Sequence, residues 1–397
     1  MRIAINGAGI AGPTLAWWLR HYGHDPVLFE QAPKLRDGGY VIDFWGVGYD
    51  VAEKMGLLPA LHEKGFLMES LRMVDSHGRE TASVDMRVFR ALANDRFITI
   101  ARGDLASTIF HQCDGVPARF GVSVTGIEQR ANGVTVRGSD GSEERFDLVF
   151  GADGLHSPVR KLVFGPQAEF ERPLGYYVAA FHLPGYQPRD NLVYITHTMP
   201  KRQVARISLR NDVTMFLFVW REELVDRIPT AESDTRGVVR DVFGDMTWEV
   251  PGVLDRMDEV KDIYFDRVSQ IRMDHWTNGR VALLGDAAAC VSLLAGEGAG
   301  LAMTEAYVLA GELHRAAGDH TVAFQTFETK LRPLLADKQK SALRFGGFFA
   351  PKNRLGLFLR DLATNLAGLP FLAKLLIGQA LNDEFTLPDY RSPADPS

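Results

Sequence analysis

Residues 2–16, RIAINGAGIAGPTLA, join a short apolar strand to a helical face through three glycines. Ile3, Ala4 and Ile5 suit a buried strand, and Gly7, Gly9 and Gly12 follow it as G-x-G-x-x-G. Leu15, Ala16 and Leu19 then supply an apolar helix face. In a strand–turn–helix unit each glycine has its own task. Gly7 permits a tight turn, Gly9 lets the backbone approach a ligand, and Gly12 lets helix and strand pack closely. Free N–H groups where the helix opens, around Ala11, favour a diphosphate. A second strand over 26–29 ends in Glu30, eighteen residues after Gly12. A carboxylate there accepts hydrogen bonds from an adenosine ribose and opposes a 2′-phosphate. The chain is therefore predicted to open on an adenine-dinucleotide unit.

A chain of 397 residues, 46% hydrophobic, can bury a large core and divide into two or three subdomains. Its net charge is -6 and no basic run exceeds two residues, which argues against a nucleic-acid partner. Cys113 and Cys290 are the only cysteines, so neither a disulfide framework nor a metal site is expected. That usage fits a reducing cytoplasm. The first strand begins at residue 2, leaving no room for a signal peptide, and no apolar run reaches the ~18 residues that span a bilayer. A soluble cytoplasmic protein without stable membrane insertion, monomeric or homodimeric, is the expectation.

Along the chain, a loop carrying Arg36 and Gly38-Gly39 leads to a strand over 40–44 and a helix over 45–57. Strands at 71–74 and 80–84 flank the turn Asp75-Ser76-His77-Gly78, and a strand at 97–100 precedes a helix opened by Arg102. Asn132-Gly133 and Asp140-Gly141 mark the turns of a meander. From about 170 to 268 the texture is strand-rich, with strands at 176–182, 192–196, 203–209 and 213–220 and one helix at 234–243. In the last of these strands Phe216, Phe218 and Trp220 share one face, and Met215, Leu217 and Val219 the other. Apolar character on both faces implies burial on two sides, one of them either ordinary core or a ligand. Helices are expected over 296–316, 320–346 and 353–380, before a polar tail.

Two further motifs lie far from the first. The strand DLVFGADG ends at Asp153-Gly154 and continues to Ser157 and Arg160. The strand RVALLGDAA ends at Gly285-Asp286 and leads to Gly296, Gly298, Ala299 and Gly300. A carboxylate at a buried strand's end is suited to a polyhydroxyl chain, and a glycine-rich helix start places its positive end toward negative charge on a ligand.

These three ordered motifs resemble the class A flavoprotein aromatic hydroxylases, the family with the p-hydroxybenzoate hydroxylase fold. The resemblance covers nearly the whole chain. It implies an α/β fold: a Rossmann-like FAD-binding domain built from 1–70, 97–168 and 270–322, an inserted mixed β-sheet substrate domain from 71–96 and 169–269, and C-terminal helices and tail over 323–397. It implies FAD as cofactor, with Glu30 on the adenosine ribose, Asp286 on the ribityl chain, and Arg36, Arg102 and Asp153 at the flavin. The implied activity is an NADPH- or NADH-consuming monooxygenation of an aromatic or polyketide-like small molecule, with O2 adding to the flavin as a C4a-hydroperoxide. The GGYVIDFWG stretch and the LPDY tail look most like tetracycline-inactivating and polyketide-tailoring members. The chain departs from the family pattern at Ala289 and Leu293, where a His or Tyr and a Pro are common, and at Glu297, where Gln is common. Those departures bear on the reaction pocket.

Phe216, Phe218, His182 and Leu293 are the candidates for the substrate cleft. Asp43 falls near the same cleft by pattern, but no general base is named, and Cys290 is read as flavin-proximal or as a packed thiol. Two other functions share the motifs: an FAD-dependent reductase of an isoprenoid chain that does not use oxygen, and a flavoprotein binding module whose flavin is redox-inert. The apolar C-terminal stretch from residue 354 is open between docking on the flavin domain, capping the cleft and touching a membrane.

Overall fold

The computed structural model describes residues 1–35, 40–229, 234–368 and 385–390, without the side chains of residues 344 and 345. Arg36 therefore lies outside the described residues.

The strand Arg2–Asn6 sits inside a six-stranded sheet. Its parallel neighbours are Leu148–Gly151 and Asp25–Glu30, and Val281–Leu283 and Ala118–Phe120 extend the sheet on either side. The short strand Thr277–Asn278 closes one edge in the antiparallel sense. Ile3, Ile5, Leu28, Leu148, Phe150 and Leu283 are all fully buried. Side chains on both pleat faces are covered, as a parallel sheet requires. The helices Ala11–His21 and Gly298–Arg315 pack together on one face, with the Trp18 and Tyr307 rings 4.7 Å apart edge to face. A three-stranded meander, Val124–Arg130, Gly133–Gly138 and Glu143–Phe146, brings Phe146 against Phe29.

A seven-stranded sheet holds the other half of the molecule. Its order is Tyr264–Ile271, Glu171–Pro184, Val213–Arg221, Arg202–Ser208, Val193–Met199, Ser70–Val74 and Glu80–Asp85. The first of these strands is absent from the sequence reading. Its second half carries Ser269 and Gln270, polar yet buried, which break the apolar alternation that announces a strand. A ribbon of two strands, Val41–Trp45 and Phe97–Ala101, lies between the sheets. Ile42, Phe44, Ile98 and Ile100 point into the dinucleotide-type core, while Val41, Trp45 and Phe97 join the cluster under the seven-stranded sheet.

The helix Arg354–Ala367 docks with its polar side inward. Buried Arg360 donates to Thr198 Oγ1 at 2.8 Å and pairs with Asp361 at 2.7 Å. Asp361 accepts from Thr81, and Asn365 from the Ser83 amide. It rests on the seven-stranded sheet and not on the flavin-type domain. Leu355, Phe358, Leu359 and Leu362 point outward. Beyond Gly368 the stretch passes outside the described residues, and the chain returns at 385–390, where Tyr390 donates to Glu312 at 2.5 Å. No helix among the described residues is long and apolar enough to cross a membrane.

Helix crossings rest on missing side chains. A Cβ on Gly48, in the helix Gly46–Lys54, would stand 2.2 Å from the Gly300 Cα. Gly48→Ala is expected to cost about 1–3 kcal/mol in a urea titration. Gly252→Ala, in open space on the helix Val250–Asp255, should cost nothing measurable. Equal stabilities of the two variants would contradict this packing.

Candidate active site

The three motifs meet at the carboxyl ends of the parallel strands. Gly7 adopts φ +111° with its ideal Cβ position 2.3 Å from the Ala152 carbonyl oxygen, and a Cβ on Gly12 would lie 1.9 Å from the Gly7 oxygen. Both are consumed by close packing between motifs. Gly9 is different: the nearest atom to its Cβ position is Arg102 Nη2 at 3.9 Å. Gly298 likewise faces only Asp286 Oδ1, at 3.7 Å, and Gly296 faces open space. Gly9, Arg102, Asp286 and Gly298 thus surround a cradle that side chains at the glycines would fill. Gly300, grouped with them in the sequence reading, packs on Gly48 as part of the helix crossing. Ala299 is partly buried beside the same helix start, and Ala11 lies against Gly285.

Glu30 is fixed beside the first loop, since its two oxygens accept the Ala8 amide at 2.9 Å and the Ala32 amide at 2.8 Å. Asp153 Oδ2 accepts from Asn6 Nδ2 at 2.8 Å and from the Val159 amide at 3.0 Å. Burial raises the Asp153 carboxyl, and these bonds oppose it. Ser157 caps the helix Pro158–Val163. From that helix the buried Arg160 donates to the Ala287 carbonyl at 2.9 Å and to the Leu155 carbonyl at 2.5 Å. A single guanidinium therefore ties the second motif to the third. Asn6 was not singled out in the sequence, although it stands one residue before the first glycine.

Gly285 turns the chain with φ +63°, delivering Asp286 at the start of a single helical turn. Burial pushes the Asp286 carboxyl up, while Arg102 and the Cys290 thiol pull it down. The Cys290 thiol is itself pushed well above its ordinary range by burial. The thiol is packed inside the protein and donates to the Ser269 carbonyl at 3.5 Å. Glu297, the residue in place of the common Gln, pairs with Lys338 at 3.0 Å.

The seven-stranded sheet has two unlike faces. Phe216 and Phe218 are fully buried with Trp220 beneath the helix Thr235–Phe243, where the Phe218 and Phe243 rings lie 4.9 Å apart. They are core under a helical layer, which corrects their placement in the substrate cleft. Met215, Leu217 and Val219 alternate to the opposite face, and His182 stands across from Met215 on that same face, half-buried. Leu293 opens the turn Leu293–Ala295 and packs among Leu217, Tyr264 and Val219. Leu217, Val219 and Tyr264 thus meet the Leu293–Ala295 turn that follows the third motif, on the sheet face opposite the helical layer. In the ribbon between the sheets, Asp43 accepts from Thr99 at 2.5 Å and from Tyr194 at 2.8 Å. Burial raises the Asp43 carboxyl against both bonds. Asp43 also lines a small cavity with Trp45, Gly296 and Lys338.

Comparison with known proteins matches this geometry to a family. A family model described as an FAD binding domain matches residues 1–321, and the chain belongs to that family. Within it the protein is an FAD-dependent monooxygenase. A flavin-dependent monooxygenase of Legionella longbeachae serogroup 1 (strain NSW150) is 33% identical over 392 residues, covering 99% of each chain. The crystal structure of the tetracycline destructase Tet(51) is 32% identical with TM-score 0.83, covering 98% of this chain and 99% of that one. That of the tetracycline destructase Tet(55) is 30% identical with TM-score 0.84, covering 98% of each chain.

Arg160→Met keeps the volume and removes both donors, leaving the Ala287 and Leu155 carbonyls unpaired. A loss of roughly 1–3 kcal/mol in the FAD-free protein is expected from chemical denaturation. Unchanged stability would show that the guanidinium does not hold the two motifs together.

Proposed function

We propose that the cradle of Gly9, Arg102, Asp286 and Gly298 holds FAD, and that the protein uses it with NADPH or NADH and O2 to hydroxylate an aromatic or polyketide-like small molecule. The observation that carries this reading is the convergence itself: four residues from three distant stretches enclose one space that only glycine leaves open. Glu30 has lone pairs left on both carboxylate oxygens for the adenosine ribose hydroxyls. The opening amides of the helix Ala11–His21 face the diphosphate. Asp286 accepts from ribityl hydroxyls, and Arg102 compensates its charge. The amino end of the helix Gly298–Arg315 offers partial positive charge to the ring system. When bound, the flavin supplies the electron transfer and oxygen activation.

The chain's own work is positioning and exclusion of water. Leu217 and Leu293, both part-exposed, offer an apolar wall to a flat substrate, with His182 at its margin. Tyr194, held by Asp43, presents a phenol at the inner end. Burial raises the Tyr194 hydroxyl well above its ordinary range, so it stays protonated. It can orient an oxygen-bearing ring but does not itself serve as a base at neutral pH. The tetracycline destructase neighbours support a substrate of fused rings.

The test is anaerobic mixing of the FAD-loaded protein with NADPH or NADH, followed by oxygenated buffer and a panel of phenolic and polyketide compounds. Bleaching of the flavin by one nucleotide, then a product heavier by one oxygen atom, is expected. A flavin that neither nucleotide reduces would overturn the reading.

The two sheet faces should separate in kinetics. Leu217→Trp narrows the cleft and is expected to raise KM by about tenfold or more, equivalent to ~1.4 kcal/mol, with little change in FAD content. Phe218→Ala should instead lower stability by about 3–5 kcal/mol. A KM effect confined to Phe218→Ala would contradict the assigned faces.

A further inference from the structure

One buried carboxyl is used by none of the foregoing chemistry. Glu305 lies on the second turn of the helix Gly298–Arg315, 2% exposed. Its Oε2 accepts the Gly285 amide at 2.7 Å. Gly285 is the residue whose left-handed φ of +63° turns the chain toward Asp286. Its Cβ position lies 3.3 Å from Ala11 Cβ and 3.4 Å from Ala302 Cβ, so the turn is confined from the first motif and from the helix as well. A charged-type acceptor placed wholly inside the protein costs free energy unless it is satisfied, and here the partner is the amide of the third motif.

We propose that Glu305 is a positioning residue for the bound flavin, holding the Gly285–Asp286 turn through the Gly285 amide and setting the charge beneath it. This rests on the FAD reading given above. Glu305 touches no part of the cradle itself and acts through the turn.

The electrostatics give the role a signature. Burial pushes the Glu305 carboxyl up to about 8, against the Gly285 bond, with Asp286 adding to the rise. The ionisable groups on this side are Asp286 from the turn, Arg102 facing Asp286, Cys290 bonded to it, and Asp266 from the strand Tyr264–Ile271. The helix Ala11–His21 contributes only Ala11 to the contact with Gly285. At pH 7 the folded protein therefore keeps a proton on Glu305 that an unfolded chain, near the ordinary 4.5, has released. Stability linked to this proton is present at low pH and is lost as pH rises through about 8. Above that pH a second negative charge develops beside Asp286, which disfavours adding electrons to a flavin held there.

The experiment compares wild type, Glu305→Gln and Glu305→Ala. FAD affinity is read by flavin fluorescence, and the midpoint potential of the bound flavin is followed from below to above pH 8. Gln keeps an acceptor for Gly285 and should bind FAD within about threefold of wild type, while Ala should weaken it at least about tenfold. The wild-type potential should bend downward above pH 8, and the Gln variant should lack the bend. FAD-loaded variants with the wild-type potential at every pH, and Ala with wild-type affinity, would overturn the role of Glu305 while leaving the FAD reading intact. Wild type that takes up no FAD would overturn both. Should Ala fail to fold, the potential of the Gln variant alone decides.

Discussion

The contact on which the rest depends is made by atoms that are not there. Without side chains at Gly7 and Gly12, the first turn closes against its own helix and against the Ala152 carbonyl of the neighbouring strand. That approach sets the carboxyl ends of three parallel strands at one level. Once they are level, polar ties become possible between segments more than a hundred residues apart. Asn6 reaches Asp153 and Arg160 reaches Ala287, while a shorter tie joins Glu305 to Gly285, 20 residues before it. Each tie satisfies a buried polar group that the close packing has cut off from water. Packing and hydrogen bonding reinforce one another here, and neither would hold the cradle open alone.

The second half of the molecule solves a different problem. A sheet with apolar residues on both faces needs two covers. One cover is the helical layer over Phe216, Phe218 and Trp220. The other is incomplete: the Leu293–Ala295 turn, the ribbon carrying Asp43 and Thr99, and the helix Arg354–Ala367 meet the sheet at separate places. The substrate cleft proposed above would lie where those covers do not join. Its apolar wall would arise from strand alternation, and the Leu293–Ala295 turn packs beside that wall. The helix Arg354–Ala367 is held by a buried guanidinium, a directional latch rather than a greasy seam.

Much of this was legible in the sequence because the motifs are local. Gly7, Gly9 and Gly12 sit between an apolar strand and an apolar helix face, and Gly285-Asp286 and Asp153-Gly154 each end a buried strand. Turn residues such as Asn132-Gly133 likewise announce themselves. The alternation at Phe216 and Phe218 showed two faces but not which one meets the helical layer, since that depends on the partner of the whole sheet. Gly300 reads like a ligand glycine until Gly48 is brought against it. The strand Tyr264–Ile271 is hidden by buried Ser269 and Gln270, whose satisfaction comes from distant partners such as the Gln339 carbonyl. Glu305 carries no local signal of its partner, since the Gly285 amide is brought to it only by the fold.

The most direct measurement is an experimental structure of the protein crystallised with FAD. The adenosine ribose is expected on Glu30, the diphosphate at the start of the helix Ala11–His21, and the ribityl chain against Asp286, with Leu217 and Leu293 facing the ring. FAD bound elsewhere, or bound with Asp286 and Arg102 turned away from it, would contradict the central claim that Gly9, Arg102, Asp286 and Gly298 form one cradle.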